Sequence, residues 1–161
     1  MAKKKQAKDK SIELAVQVIK KWEGFSAEPY LCPAGVPTIG YGNTMYPTGE
    51  RVTIEDPKID KKKGEQILAH FAASVKKQVE GVLEAKLTDN QLAALISFTY
   101  NVGIGNLSKS TLLSWINTKP DWDLIPDEFR RWNKAKGRIL NGLVARREDE
   151  IGLWTGNSEF I

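Results

Sequence analysis

The chain has 161 residues, 41% hydrophobic and 27% charged, a size and composition that suit one soluble globular domain with a sizeable core. Its net charge of +4 sits in residues 1–10, which hold five lysines and one aspartate; residues 11–161 are electrically balanced, so no basic nucleic-acid face is implied. A single cysteine excludes an internal disulfide, and no apolar run is long enough to span a bilayer.

Residues 1–10 read as a basic disordered tail. Its first use is as a solubilising appendage, and its alternative is contact with anionic lipid or another polyanion. The segment after the tail is interrupted by Glu13, Gln17, Lys20 and Lys21, so the start is neither a signal peptide nor a signal-anchor, and folding in the cytoplasm is expected. Residues 11–161 read as one domain. Ser11 is the expected N-cap of a first helix of about twelve residues, with Ile12, Ala15, Val16, Ile19 and Trp22 on its apolar face and Glu23 one step further.

The stretch after Glu23 is dense in Gly, Pro and aromatics, which predicts a β-rich lobe over about 24–57. Pro29 to Leu31 is one strand, Pro33 to Val36 a turn, Val36 to Tyr41 the return strand, and Arg51 to Ile54 a third. Asp60 is expected to cap a connecting helix over about 60–84, with Ile67, Phe71, Val75, Val79 and Val82 along one side. A helical lobe is expected over about 88–155. Thr88 to Gln91 is a capping box opening a strongly apolar helix, Leu92 to Val102, which Gly103 and Gly105 end. Ser110 caps a short helix to Ile116, and Pro120 to Pro126 forms a turn-rich connection. Asp127 to Lys134 is a further helix, and Asn141 caps the last, Gly142 to Trp154.

Glu23, eight residues, Cys32, five residues, Thr38, closed by Ile39-Gly40-Tyr41-Gly42, resembles the active-site signature of phage-type lysozymes, the muramidase endolysins of tailed phages. The middle position of that family is Asp in some members and Cys in others. Three further blocks match in order: Gln91 to Gly103, Ser110 to Leu113, and Gly142 to Glu148 ahead of Trp154. The resemblance therefore covers nearly the whole chain. It implies an α+β, mostly α, lysozyme-like fold, with a small β-rich lobe and a larger helical lobe joined by a long helix and a cleft between.

Cleaving a glycosidic bond requires an acid for the leaving oxygen and a group that handles water or the anomeric carbon. Glu23 is the candidate acid. A helix C-terminus and the neighbours Trp22 and Phe25 favour its neutral carboxyl, whereas the resemblance implies an arginine beside it, Arg146 or Arg147. Cys32 stands where relatives carry Asp. It either becomes a thiolate base or only positions water with Thr38, whose hydroxyl the family places on the attacking water; an ordinary thiol, at roughly pKa 8.5, is mostly neutral at pH 7. Tyr41, Asn43, Tyr100, Asn101 and Trp132 are the polar and aromatic candidates for the cleft, because aromatic faces stack on sugars and amides bond N-acetyl groups. His70, the only histidine, is assigned no role, and no metal or cofactor motif is present.

The resemblance implies an inverting endolysin that hydrolyses the β-1,4 bond between N-acetylmuramic acid and N-acetylglucosamine in peptidoglycan and so lyses the host cell. A monomer is expected, made in the host cytoplasm and dependent on a holin without touching it. The alternatives are a lytic transglycosylase, which needs one acid/base Glu and leaves anhydro ends, and a catalytically silent peptidoglycan-binding module. Cys32 and Thr38 at family spacing oppose the first. The lack of a carboxylate at position 32 sustains the second.

Overall fold

A computed structural model describes residues 8–118 and 121–161. The first seven residues of the expected tail, and Pro120 of the expected connection, lie outside the described residues. Helix α1 spans Lys10–Glu23. Its cap is Asp9 rather than Ser11: the Asp9 carboxylate accepts from the Ile12 N–H at 3.3 Å and from the Ser11 hydroxyl at 2.6 Å. A carboxylate out-competes a hydroxyl for an orphan N–H, and Ser11 becomes the first buried residue of the helix. The buried face is then Ser11, Leu14, Ala15, Val18 and Ile19, turned by about one residue from the expected stripe. Gly24, at φ 68°, ends the helix and leaves Glu23 as its last side chain.

Strands β1 (Ser26–Leu31) and β2 (Pro37–Gly40) form an antiparallel hairpin with Tyr30 opposite Thr38. The turn between them closes on itself: the Gly35 N–H donates to the Cys32 carbonyl at 2.7 Å, and the Cys32 N–H to the Val36 carbonyl at 3.0 Å. The expected third strand does not form. Arg51 makes one isolated bridge with Met45, and Asp56 then accepts from both the N–H and the hydroxyl of Thr53, at 2.9 and 2.6 Å. That side-chain-to-backbone bonding folds residues 53–56 into a turn.

Asp60 caps α2 (Lys61–Val82), as its place in the sequence predicts. The helix buries Gly64, Ile67, Leu68, Ala72 and Val79. Thr88 and Gln91 make both bonds of a capping box at the start of α3 (Asp89–Val102), where every residue from Ala93 to Thr99 is buried. Helix α1 and the last helix of the chain pack against α3, which is the axis of the helical lobe.

Past α3 the expectations need three corrections. Gly105 does not end the helical run but lies inside a short helix, α4 (Ile104–Lys109), ahead of α5 (Thr111–Thr118). Helix α6 is Ile125–Arg130, with Pro126 in its first turn, and it stops before Lys134. Lys134–Ala135 (β3) and Arg138–Ile139 (β4) pair as a hairpin instead, because Lys136 and Gly137 both adopt positive φ, 51° and 77°, the demand of a two-residue turn. The last helix, α7 (Asn141–Thr155), begins at Asn141 itself, with Leu140 in the cap position and no side-chain capping bond. Among the described residues, no helix is long and apolar enough to cross a membrane.

The β lobe is keyed to α2 by a close fit. A Cβ added at Gly64 would lie 2.8 Å from the Phe25 ring, which itself packs on Tyr41 with centroids 5.3 Å apart. Gly64→Ala improves intrinsic helix propensity by about 1 kcal/mol, but overpacking at such a contact costs about 1–3 kcal/mol. A lower urea midpoint is therefore expected; a raised midpoint would mean that Phe25 yields without loss.

Candidate active site

Three helices and one loop converge on Glu23. Its carboxylate faces Arg146 of α7, Oε1 to Nη1 at 3.2 Å. The Glu23 side chain is 28% exposed and that of Arg146 is 4% exposed, so the pair is open to solvent from the glutamate side alone. The second terminal nitrogen of Arg146 donates to the Ser97 carbonyl of α3 at 3.2 Å. From the β lobe, Gly42 approaches so closely that a Cβ there would lie 2.8 Å from Glu23 Oε2, and its φ of 78° is one that side-chain-bearing residues rarely adopt. Glycine is thus required at 42 for both space and backbone.

Behind Arg146 lies a buried charge cluster. Arg147 contacts Glu150 with Nε to Oε1 at 2.8 Å, and Arg146 contacts the same carboxylate at 3.5 Å. The Ser97 hydroxyl donates to Glu150 Oε2 at 2.7 Å. Burial pushes the Glu150 carboxyl above its ordinary value, opposed by Arg147, Arg146 and the Ser97 hydroxyl. Burial likewise lowers Arg147, opposed by Glu150. Arg147 also donates to Asn101 Oδ1 at 2.8 Å and places its guanidinium 4.9 Å from the centre of the Phe98 ring.

Of the two arginines left open by the sequence, Arg146 is the one beside Glu23. Asn101, Arg147, Tyr100 and Asn43 join the same network. Asn43 Nδ2 donates to the Tyr100 hydroxyl at 2.9 Å, a bond that crosses from the β lobe to α3. Burial, with the nearby Glu23 carboxylate, pushes the Tyr100 phenol up to about 12, so it stays a neutral hydroxyl. Asn43 and Tyr100 also line a cavity of about 390 Å³ between the β lobe, α2 and the end of α3, with Phe71, Val75 and Thr99. Asn43 Oδ1 and Thr99 Oγ1 are buried close by without hydrogen-bond partners.

Cys32 and Thr38 face one another in the β1–β2 hairpin. The backbone N–H groups of Val36 and Ala34 draw the thiol below its ordinary value, opposed by burial, with Thr38 a smaller contributor. Thr38 is buried and donates to the Val36 carbonyl at 2.9 Å. The remaining two candidates lie apart from this network. Tyr41 is buried against Phe25 and Gly64 and belongs to the core. Trp132 stands edge-on to Phe98 at 5.4 Å, half-buried. Gly42 stood in the signature segment, whereas sequence reasoning passed over Ser97, Thr99 and Glu150. Only Glu150 left a signal, a carboxylate three and four residues beyond the two arginines on one helix.

A small β lobe, a helical lobe built on one buried helix, and a glutamate closing the first helix above the cleft define a lysozyme-like protein. The family model for phage lysozyme matches residues 20–150. The endolysin of Bacillus phage B103 is 35% identical over 158 residues, 92% of this chain and 56% of the relative. The solved endolysin from Escherichia coli O157:H7 phage FAHEc1 superposes with a TM-score of 0.77 at 30% identity, covering 96% of each chain. The muramidase domain of SpmX from Asticaccaulis excentricus gives 0.75 at 26% identity, covering 87% of this chain and 93% of that one. This chain belongs to the phage lysozyme family. It spans about half the length, 56% and 55%, of the curated relatives from Bacillus phages B103 and PZA.

The charge cluster makes a stability test independent of any activity. Glu150→Gln leaves two buried guanidiniums sharing a neutral amide, and removing one partner of a buried ion pair costs about 3–5 kcal/mol. A loss of that order in chemical denaturation is expected; a loss below about 1 kcal/mol would show that the guanidiniums do not depend on the Glu150 charge.

Proposed function

We propose that this chain is a muramidase of the endolysin type, hydrolysing the β-1,4 bond between N-acetylmuramic acid and N-acetylglucosamine in bacterial peptidoglycan during host-cell lysis. The observation that carries this reading is the Glu23–Arg146 pair at the end of α1, open to solvent from the glutamate side and bordered by Gly42, which also lines the adjoining cavity. Family membership and the likeness to a muramidase domain support it. Glu23 gives its proton to the leaving glycosidic oxygen, and the carboxylate so formed lies against Arg146. Cys32 and Thr38 hold the attacking water, whose oxygen bonds to the anomeric carbon. The N–H groups that lower the Cys32 thiol favour a thiolate able to take the water's proton. Asn43 and Thr99 are placed to bond an N-acetyl group, and Asn101 and Arg147 steady the α3–α7 side of the cleft.

The endolysin reading carries with it a monomer without cofactor, made in the host cytoplasm and reaching peptidoglycan after a holin permeabilises the membrane. Glu23→Gln tests the reading directly. On chloroform-treated Gram-negative cells, the rate of turbidity loss should fall by roughly 10²–10⁴-fold with an unchanged melting curve, and wild-type products should carry one water per cut. Residual activity within about tenfold of wild type would remove Glu23 from the mechanism.

Cys32 has its own series. Cys32→Asp should retain substantial activity, since a carboxylate of roughly pKa 3.9 is ionised at neutral pH and serves as base. Cys32→Ala and the alkylated enzyme should lose most turnover, and alkylation should set in below the pH at which a free thiol reacts. Near-wild-type rates for both the alanine variant and the alkylated enzyme would make Cys32 structural.

A further inference from the structure

The last turn of α1 is the part of that helix least held by its own backbone, because the final carbonyls of a helix meet no N–H further along it. Gly24 ends α1 directly after Glu23, and its N–H returns to the Lys20 carbonyl at 3.2 Å. The side chains that grip this turn therefore bear on where Glu23 points.

Besides Arg146, a second residue of α7 meets the turn. The Trp22 indole Nε1–H donates to Asp149 Oδ2 at 2.8 Å, and Lys21 Nζ donates to the same oxygen at 2.8 Å. The two bonds are not equal. The Lys21 side chain is 43% exposed and shares its ammonium with Glu159 at 3.2 Å, so solvent screens its pair with Asp149. Trp22 is half-buried and packed against the core, its indole has a single N–H to give, and the Asp149 side chain is 19% exposed. The indole bond is the shielded one.

Trp22 and Glu23 are adjacent on α1, whereas Arg146 and Asp149 are three residues apart on α7, about 4.5 Å along its axis. The contact between Glu23 and Arg146 fixes one point. The contact between Trp22 and Asp149, displaced from it, also fixes the roll of the turn. We infer that Asp149 is a positioning residue for the muramidase reaction: by holding the Trp22 indole it sets the roll of the last turn of α1, and with it the place where the Glu23 carboxyl meets the glycosidic oxygen. The inference rests on the muramidase reading and deepens it. Asp149 itself touches no reacting atom and acts through Trp22.

Initial rates on soluble glycan strands, counted as new reducing ends, give kcat and KM for the full chain and its variants, all read below the lowest melting midpoint. Asp149→Ala removes the acceptor, and Trp22→Phe removes the donor but keeps a ring. Each should lower kcat about tenfold with KM within about twofold, the pattern of a misplaced reacting group. Combining them should cost no more than either alone, since both break the same bond. Asp149→Asn keeps an oxygen for the indole while dropping the charge, and should hold kcat within about twofold of wild type, as should Lys21→Gln, which leaves the indole bond intact. Unchanged kcat in Asp149→Ala or Trp22→Phe, additive losses in the double variant, or an equal loss in Lys21→Gln overturns the inference. Should Asp149→Ala fail to fold, Trp22→Phe against Asp149→Asn decides it, and equal losses in those two overturn it. A wild type that forms no reducing ends removes the muramidase reading and the positioning role with it; an active wild type with an unaffected Asp149→Ala removes the role alone.

Discussion

The position of Glu23 depends on a guanidinium that has almost no other choice. Arg146 is buried on α7 and reaches Glu23 on α1, the Ser97 carbonyl on α3, and Glu150 one turn further along its own helix. A buried guanidinium lacking any of these would carry an uncompensated desolvation cost of several kcal/mol. Through this one side chain the three helices are tied to one another. Arg147, its neighbour, would repel it, and Glu150 answers both at once. Glu23 is therefore oriented by the same contacts that pack the helical lobe. Chemistry and core share a foundation here.

The β lobe completes the site by approach rather than by charge. Gly42 brings bare backbone against Glu23, and Asn43 immediately after it reaches across to Tyr100. One glycine and one amide thus join the two lobes beside the acid. The Tyr100 phenol, neutral because of burial and the adjacent carboxylate, adds no competing charge to the cleft. The lobe's placement is in turn secured on the far side, where Phe25 fits over Gly64 and Tyr41 closes the gap. Tyr41, although it lies in the signature segment, is therefore buried in this packing.

Helices with strong caps and clear apolar faces were legible from the residues: Asp60 and the Thr88–Gln91 box mark real starts, and α3 is buried along its centre as its composition demands. Legibility failed where two local rules competed. Asp9 displaced Ser11 as a cap, Asp56 folded a β-compatible segment into a turn, and Lys136-Gly137 made a hairpin that took the last residue, Lys134, of the expected helix. The site divides in the same way. Glu23, Cys32 and Thr38 were visible through spacing within one segment, whereas the choice of Arg146 over Arg147 was invisible, since adjacent helical positions differ only in which neighbours they meet. Ser97 acts through a carbonyl as well as its hydroxyl, and a backbone oxygen carries no sequence signature.

The hairpin turn bears on why the position of Cys32 can hold either a thiol or, in relatives, an aspartate. The groups around the sulfur are mostly main chain: the N–H groups of Val36 and Ala34, oriented by a turn that the Gly35 and Cys32 backbone bonds close. Backbone donors stabilise an anion without regard to the side chain that bears it. The Thr38 hydroxyl beside it donates its one proton to the Val36 carbonyl, so the donors to an anion here are main-chain groups. The cradle is thus a property of the hairpin, set by Gly35 at φ 77° and by the β1–β2 register, with Tyr30 opposite Thr38. A thiolate and a carboxylate are both met by the same donors, so the turn constrains the site to an anion or a polarised water more tightly than it constrains the residue supplying it.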